Sequence, residues 1–185
     1  MCIAIETYRS ARQHGASDAE AQRAVKAAAS FAGMRSRIAG WLDDLGVNDA
    51  VGVESATELF DEPASLHTTS LVRYPVFVGE AMANYRGTSP RPEASPLLRS
   101  LISELLIPEL SGLRGALIVP MGTAVARALV SLEVPFLDRC LLGFPHPSGA
   151  NGWANRQFAE NRVRLRAAVA HWNRSPRTGE PARRN

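Results

Sequence analysis

Short apolar runs alternate with helical segments over the second half of the chain, and this alternation decides which fold class the sequence predicts. The runs at 115–120 ("GALIVP") and 140–147 ("CLLGFPHP") have the length and composition of buried strands. Helical segments follow them at 121–132 and 155–174. Such alternation favours a parallel sheet covered by helices. We therefore predict a three-layer α/β/α sandwich with a short, mainly parallel central sheet.

The rest of the chain adds further predicted elements. In chain order they are a strand-like run at 2–6, helices at 17–30, 35–47 and 53–62, a strand at 65–78, a loop at 79–96, and an amphipathic helix at 97–110 that Pro108 interrupts or ends. Ser17 and Glu20 form a capping-box pattern, and Gly46 stops the second helix. We expect one domain over 1–174 and a disordered basic tail at 175–185.

Composition narrows the classes of protein to which the chain can belong. The 185 residues are 45% hydrophobic, which is typical of a packed globular domain, and no apolar run is long enough to cross a membrane. Two cysteines, Cys2 and Cys140, are too few for a disulfide framework. The formal net charge is +3. We expect a cytoplasmic monomer with no membrane partner, metal or cofactor.

Three predicted strands end in segments that carry glycine or polar residues. These segments are "TTS" (68–70), "PMG" (120–122) and "GFPHPSG" (143–149). In open α/β sheets, binding sites lie beyond the carboxyl ends of the strands. We therefore expect the three segments to meet on one side of the sheet.

Two of these segments have both a functional and an ordinary interpretation. Gly122 and Thr123 join a strand to a helix whose free N–H groups can bind an anion, although glycine also suits a plain tight turn. Thr68, Thr69 and Ser70 can direct hydroxyls at a ligand, or the threonines are present for their β propensity.

The third segment holds a histidine between two prolines. Pro145 and Pro147 restrict the backbone on both sides of His146, and Ser148 can contact a phosphate or cap a backbone group. The small residues that follow allow another chain to approach closely. This segment either has a binding function or is a structural element without one. In the second case it is a proline-stiffened surface turn, or its histidine is buried and bonded to a backbone carbonyl.

Taken together, these segments resemble the motifs of the uracil-DNA glycosylase superfamily. The late motif of that family is His-Pro-Ser followed by a loop that enters the DNA, and "HPSGAN" stands here at 146–151. The middle motif is similar to "TTSLVRYP" at 68–75, and the next loop, helix and strand are similar to "TSPRP", "LLRSLISELLIPEL" and "ALIVPMGTAVARAL". The order and spacing agree over 65–172, and 30–47 is a weaker match.

The resemblance implies an enzyme of base excision repair that flips uracil out of DNA and cleaves its N-glycosidic bond. Uracil-containing DNA is then the partner. His146 would donate a hydrogen bond that stabilises the charge on the departing uracil. Thr69 and Ser70 would face the base, and Phe31 would stack on it. The residues that would contact the DNA are Gly122, Thr123, Pro145, Pro147, Ser148, Gly149, Ala150, Asn151 and Trp153.

Two departures from the family pattern keep other functions open. No glycine-rich, proline-containing loop follows the first apolar run, so this motif has been replaced or belongs to an N-terminal segment that the chain lacks. Ser70 stands where the family usually has asparagine, and a hydroxyl satisfies less of the uracil edge than an amide. The alternative is a DNA-binding or modified-base-binding protein of the same fold that does not cut. An α/β domain that binds a nucleotide is the third reading.

Overall fold

The computed structural model describes residues 3–61, 65–85 and 87–175. The chain forms two compact units, Met1–Thr68 and Thr69–Asn185. The single domain expected over 1–174 stays a prediction. Of the expected tail, residues 176–185 lie outside the described residues.

The secondary structure is mostly helical, with 54% helix and 4% strand. Over the described ranges, the sheet consists of two short antiparallel strands, β1 (Phe77–Val78) and β2 (Ala83–Asn84). Phe77 pairs with Asn84, and Val78 pairs with Ala83. The predicted three-layer α/β/α sandwich with a mainly parallel central sheet is therefore wrong.

Two helices, α1 (Ile3–Gln13) and α2 (Asp18–Ala29), form a hairpin at the start of the N-terminal unit. The capping box predicted for α2 is confirmed. The Ser17 N–H donates to Glu20 Oε2 at 2.7 Å, and the Glu20 N–H donates to Ser17 Oγ at 3.3 Å. These bonds satisfy two backbone donors at the start of α2.

The strand-like interpretation of residues 2–6 is wrong, because Ile3 to Glu6 belong to α1. A short apolar run does not distinguish a strand from one turn of a helix. The tertiary context favours the helix here, since Tyr8 donates a hydrogen bond across the hairpin to Asp18.

Helices α3 (Arg35–Asp44) and α4 (Val47–Val51) complete the helices described for the N-terminal unit. Gly46 adopts a φ of 78° and separates them, as the stop signal predicts. One face of this pair is buried. Its buried side chains are Ile38, Ala39, Trp41, Leu42, Leu45 and Val47.

The third helix expected at 53–62 is reduced to one 3₁₀ turn, Glu58–Phe60. Asp43 binds the chain just before this turn, because its carboxylate accepts bonds from the Ser55 hydroxyl at 2.8 Å and the Ala56 N–H at 2.6 Å. These long-range bonds fix the backbone just before the turn.

The strand expected at 65–78 is also wrong for all but its last two residues, which form β1. Bends at residues 71, 72 and 74 interrupt the segment, and side chains of two of its residues bind a helix. The Thr69 hydroxyl donates to Glu109 Oε2 at 3.0 Å, and Arg73 forms an ion pair with the same carboxylate. Thr69 and Arg73 thus tie the segment to a helix before its last two residues enter the sheet.

The helix predicted at 97–110 runs as three continuous pieces. They are α5 (Pro96–Leu101), a π-helical turn (Ile102–Leu106) and α6 (Ile107–Gly112), preceded by a 3₁₀ turn at Pro92–Ala94. Pro108 has no N–H to donate to the preceding turn. The widened π turn just before it lets the helix continue through the proline.

The runs predicted as parallel strands at 115–120 and 140–147 do lie side by side. They form a single parallel bridge, Ile118 to Cys140. The Ile118 N–H donates to the Arg139 carbonyl and the Leu141 N–H donates to the Ile118 carbonyl, each at 2.9 Å. Pro120 has no N–H with which to extend the ladder, so two parallel segments remain where a central sheet was expected.

Helices α7 (Thr123–Ser131) and α8 (Ala154–Arg174) confirm two further predictions, and a 3₁₀ turn at Leu137–Arg139 lies between them. The indole N–H of Trp172 in α8 donates to the Gly115 carbonyl at 2.8 Å. Side chains from several of these elements form one buried cluster. It contains Ile102, Leu106, Leu110, Ile118, Leu129, Val134, Phe136 and Cys140.

Candidate functional site

Two of the three expected segments meet in the C-terminal unit, where Gly122 touches His146. Gly122 has φ 96° and ψ 157°, a conformation open almost only to glycine. A Cβ atom there would lie 3.1 Å from His146 Cβ. The Gly122 N–H donates to the Phe144 carbonyl at 2.9 Å. The lack of a side chain at Gly122 therefore lets the two segments pack directly together.

The His146 loop (residues 145–151) presents an imidazole to solvent from a rigid base. Pro145 and Pro147 are buried, whereas His146 between them is exposed. The Ser148 N–H donates to His146 Nδ1 at 3.2 Å. Because a backbone N–H can only donate, Nδ1 accepts and the neutral ring carries its hydrogen on Nε2. The loop thus offers one defined hydrogen-bond donor.

Ser148 organises the second half of the loop. Its hydroxyl oxygen accepts from the Ala150 N–H at 3.1 Å, and its carbonyl accepts from the Asn151 N–H at 2.9 Å. The hydroxyl hydrogen stays available to donate to a phosphate, since the bond to Ala150 uses only the oxygen. Gly149 and Ala150 are exposed at the tip.

Asn151 directs its amide back into the protein. Its Nδ2 donates to the His146 carbonyl at 3.1 Å and to Gln157 Oε1 at 3.0 Å. The sequence predicts a DNA contact for Asn151, and gives no indication of Gln157. A polar residue at the end of the first turn of a helix such as α8 is common, so only the folded loop identifies it.

At the start of α7, Thr123 is exposed beside Gly122. The N–H of Gly122 is bonded to Phe144 and cannot serve an anion. The Ala126 N–H donates to the Gly122 carbonyl at 3.2 Å, whereas the first three N–H groups of α7, at residues 123–125, have no acceptor one turn earlier in the helix. They form the part of the predicted phosphate site that could still bind an anion.

Thr69 and Ser70 lie in the segment that Thr69 and Arg73 tie to α6. The Thr69 hydroxyl is half-buried and bonded to Glu109, while Ser70 is exposed. The contacts of Thr69 thus run to α6 and not to the His146 loop. Glu109 was not predicted as a functional residue.

Phe31 belongs to the N-terminal unit, where it is half-buried with a φ of 54°. Its ring meets the Phe60 ring edge to face, with 6.5 Å between centroids. The Arg35 guanidinium lies 5.5 Å from the centroid of the same Phe60 ring. Phe31 therefore has an aromatic partner within its own unit.

Trp153 extends the candidate surface beyond the loop. Its side chain is 65% exposed, and the Arg156 guanidinium lies 5.7 Å from the ring centroid. Exposed arginines continue along α8, which carries a single acidic residue, Glu160. The arginines are Arg156, Arg162, Arg164, Arg166 and Arg174. This helix gives the surface a positive charge suited to phosphate.

Gly143 is a second glycine that the sequence did not identify as important. It has a φ of 98°, and a Cβ there would clash with the Arg164 guanidinium and lie 3.3 Å from Asn161. The chain thus passes directly over α8 just before the His146 loop. Among the described residues, no group of three or more His, Cys, Asp or Glu side chains could hold a metal ion.

Comparisons with known proteins identify one relative by sequence. The chain is 39% identical over 150 residues to a Bacillus subtilis (strain 168) protein named "Uncharacterized protein YoxB". The alignment covers 78% of this chain and 58% of YoxB. No family model and no solved structure matches the chain. None of the described helices is long and apolar enough to cross a membrane.

Proposed function

We propose that this protein removes uracil from DNA in the cytoplasm by cleaving the N-glycosidic bond, and that it does so as a monomer. One observation carries the proposal: His146 is exposed on a proline-framed loop, and its Nδ1 accepts a hydrogen bond from the Ser148 N–H. The ring therefore has a fixed Nε2–H donor. The proposal rests on this loop and not on the sandwich fold, which the structure lacks.

In the proposed reaction, the bond between uracil N1 and the deoxyribose C1′ breaks, and its electron pair leaves with the base. Negative charge develops on the uracil oxygens. The His146 Nε2–H donates to one of them, which is the kind of preorganised donor that lowers such a barrier. Water adds at C1′ and loses a proton, so the products are free uracil and an abasic site.

The surface around the loop supports DNA as the substrate. The Ser148 hydroxyl and the first turn of α7 can donate to phosphates, and the arginines of α8 add positive charge nearby. Trp153 offers an exposed aromatic face of the kind that stacks on bases. Binding through these groups should weaken as the salt concentration rises.

The alternative function is DNA binding without cleavage. The hydrogen bond from Thr69 to Glu109 favours it, because it occupies a hydroxyl that the resemblance assigns to the base. With Ser70 offering only a hydroxyl, uracil would be held by fewer groups than an asparagine amide provides.

The deciding experiment uses an oligonucleotide with one uracil and a stoichiometric excess of protein. The protein is purified from a host without its own uracil-DNA glycosylase. Alkali should cut the DNA at the uracil, and His146→Ala should slow release about 10²–10³-fold while DNA binding stays within a factor of two or so.

Binding that depends on salt but gives no alkali-sensitive sites, even after long incubation, would replace the first proposal with the second. If neither uracil-containing nor plain DNA binds at low salt, both proposals are wrong. Gly40→Ala serves as a control, since Gly40 lies in α3, outside the candidate site, and a Cβ there meets nothing within 4 Å.

A further inference from the structure

The His146 loop is attached to α8 through two amide side chains, Asn151 and Gln157. The His146 carbonyl can only accept, so the Asn151 amide nitrogen must face it, at 3.1 Å. The same nitrogen donates to Gln157 Oε1 at 3.0 Å. We call these two side chains the amide bridge. It links the backbone of the candidate catalytic residue to α8, where Gln157 lies six residues beyond Asn151.

The backbone of Gln157 is held within α8. Its N–H donates to the Trp153 carbonyl at 2.9 Å, and its carbonyl accepts from Asn161 Nδ2 at 2.9 Å. The next residue, Phe158, is buried and meets the Phe144 ring edge to face at 6.2 Å. Helix α8 is therefore packed against the chain on the N-terminal side of the loop.

The amide bridge acts on the same short peptide that sets the state of the imidazole. Its bond fixes the His146 carbonyl, and the Ser148 N–H that donates to Nδ1 lies two residues further on. A shift of that backbone would lengthen the 3.2 Å bond to Nδ1 and turn the ring. The amide bridge opposes such a shift, together with the buried Pro145 and Pro147 and the close packing of Gly122 against His146.

We propose that Asn151 and Gln157 are positioning residues for His146, and that Asn151 is not the DNA contact that its place in the motif predicts. Their effect on catalysis rests on the proposed function. Their effect on the His146 imidazole does not.

The first arm of the test is independent of activity. The ¹⁵N shift of His146 Nδ1 and the hydrogen exchange of the Ser148 amide are measured by NMR in the full chain. Asn151→Ala and Gln157→Leu should move the Nδ1 shift and speed Ser148 exchange at least several-fold. Gln157→Glu keeps an acceptor for Asn151 and should resemble wild type, as should Asn155→Ala, whose exposed side chain lies on the same helix.

The second arm measures single-turnover base release and DNA affinity. Asn151→Ala and Gln157→Leu should lower the rate 10–100-fold at saturating protein, as small misplacements of a catalytic group do, with affinity changed less than threefold. Gln157→Glu should restore the rate. If wild type releases no base, the proposed function fails and the NMR arm alone decides the positioning role.

Two results would overturn the amide bridge as a positioning device. One is an unchanged His146 Nδ1 shift and Ser148 exchange in both Asn151→Ala and Gln157→Leu. The other is a loss of DNA affinity in Asn151→Ala with an unchanged rate at saturation, which would make Asn151 a DNA contact after all.

Discussion

Replacing Gly122 with alanine tests how closely the two segments of the site must pack. Gly122 adopts φ 96° and ψ 157°, and the added Cβ would lie 3.1 Å from His146 Cβ. Real Cβ atoms are rarely found that close to a neighbouring side-chain carbon, so His146 would have to move by a few tenths of an ångström. It cannot move alone, because Pro145 and Pro147 on either side are buried.

Two costs add in this variant. Holding alanine in a glycine-only backbone conformation costs about 1–3 kcal/mol. Forcing extra volume between packed segments costs about 1–3 kcal/mol more. We expect a total loss of about 2–6 kcal/mol, a large share of the ~5–15 kcal/mol by which a native protein is stable.

The measurement is urea unfolding followed by circular dichroism and tryptophan fluorescence. Gly149→Ala is the matched control, because it lies in the same loop without a positive φ and its Cβ would meet nothing within 4 Å. It should lose no more than about 0.5 kcal/mol. If Gly122→Ala is as stable as Gly149→Ala, the close packing of Gly122 against His146 is refuted.

Three further predictions concern residues that support the two units. Burial raises the pKa of the Cys140 thiol from 9.0 to about 11. Between pH 9 and pH 11 the thiol therefore stays protonated in the native state and ionises in the unfolded chain. Its contribution to the free energy of unfolding is fully present below pH 9 and falls by about 3 kcal/mol as the pH rises through 11. Urea unfolding should show a smaller fall in Cys140→Ala. Arg139→Met should lose about 2–3 kcal/mol in the same assay, because its Nη1 donates to the carbonyls of Leu113 at 2.8 Å and Ala116 at 2.7 Å. Ser17→Ala should cost about 1 kcal/mol and speed hydrogen exchange at the start of α2; unchanged exchange there would contradict the capping box.

The helices that the sequence predicts correctly carry their stabilising interactions locally. The Ser17 and Glu20 side chains cap α2 from within one turn, and Gly46 ends α3 by its own backbone conformation. The apolar face of α8 repeats at helical spacing through Phe158, Leu165 and Val169. Such signals lie within a few residues of the element that they specify, so the sequence contains them in full.

The predicted strands fail because strand pairing depends on residues far apart in the chain. The segment at 65–78 is rich in β-branched and aromatic residues, yet Thr69 and Arg73 bind Glu109, about forty residues later, in place of a neighbouring strand. Similarly, Asp43 fixes the segment at Ser55 and leaves one 3₁₀ turn where a helix was expected. Composition indicates a preference for extended structure, but it does not determine which distant residue binds the segment.

The sequence predicts that Gly122 and His146 lie close together, although it predicts this from a sandwich fold that the structure does not have. The prediction holds because it needs only a small part of that fold. Two parallel segments joined at Ile118 and Cys140 are enough to bring both carboxyl ends to the same side. After the bridge, each segment turns at a glycine with positive φ or at a proline. Such turns are specified by single residues and can be recognised in the sequence. The amide bridge could not be predicted in this way, because the 3.0 Å contact from Asn151 to Gln157 depends on how the loop folds back onto α8.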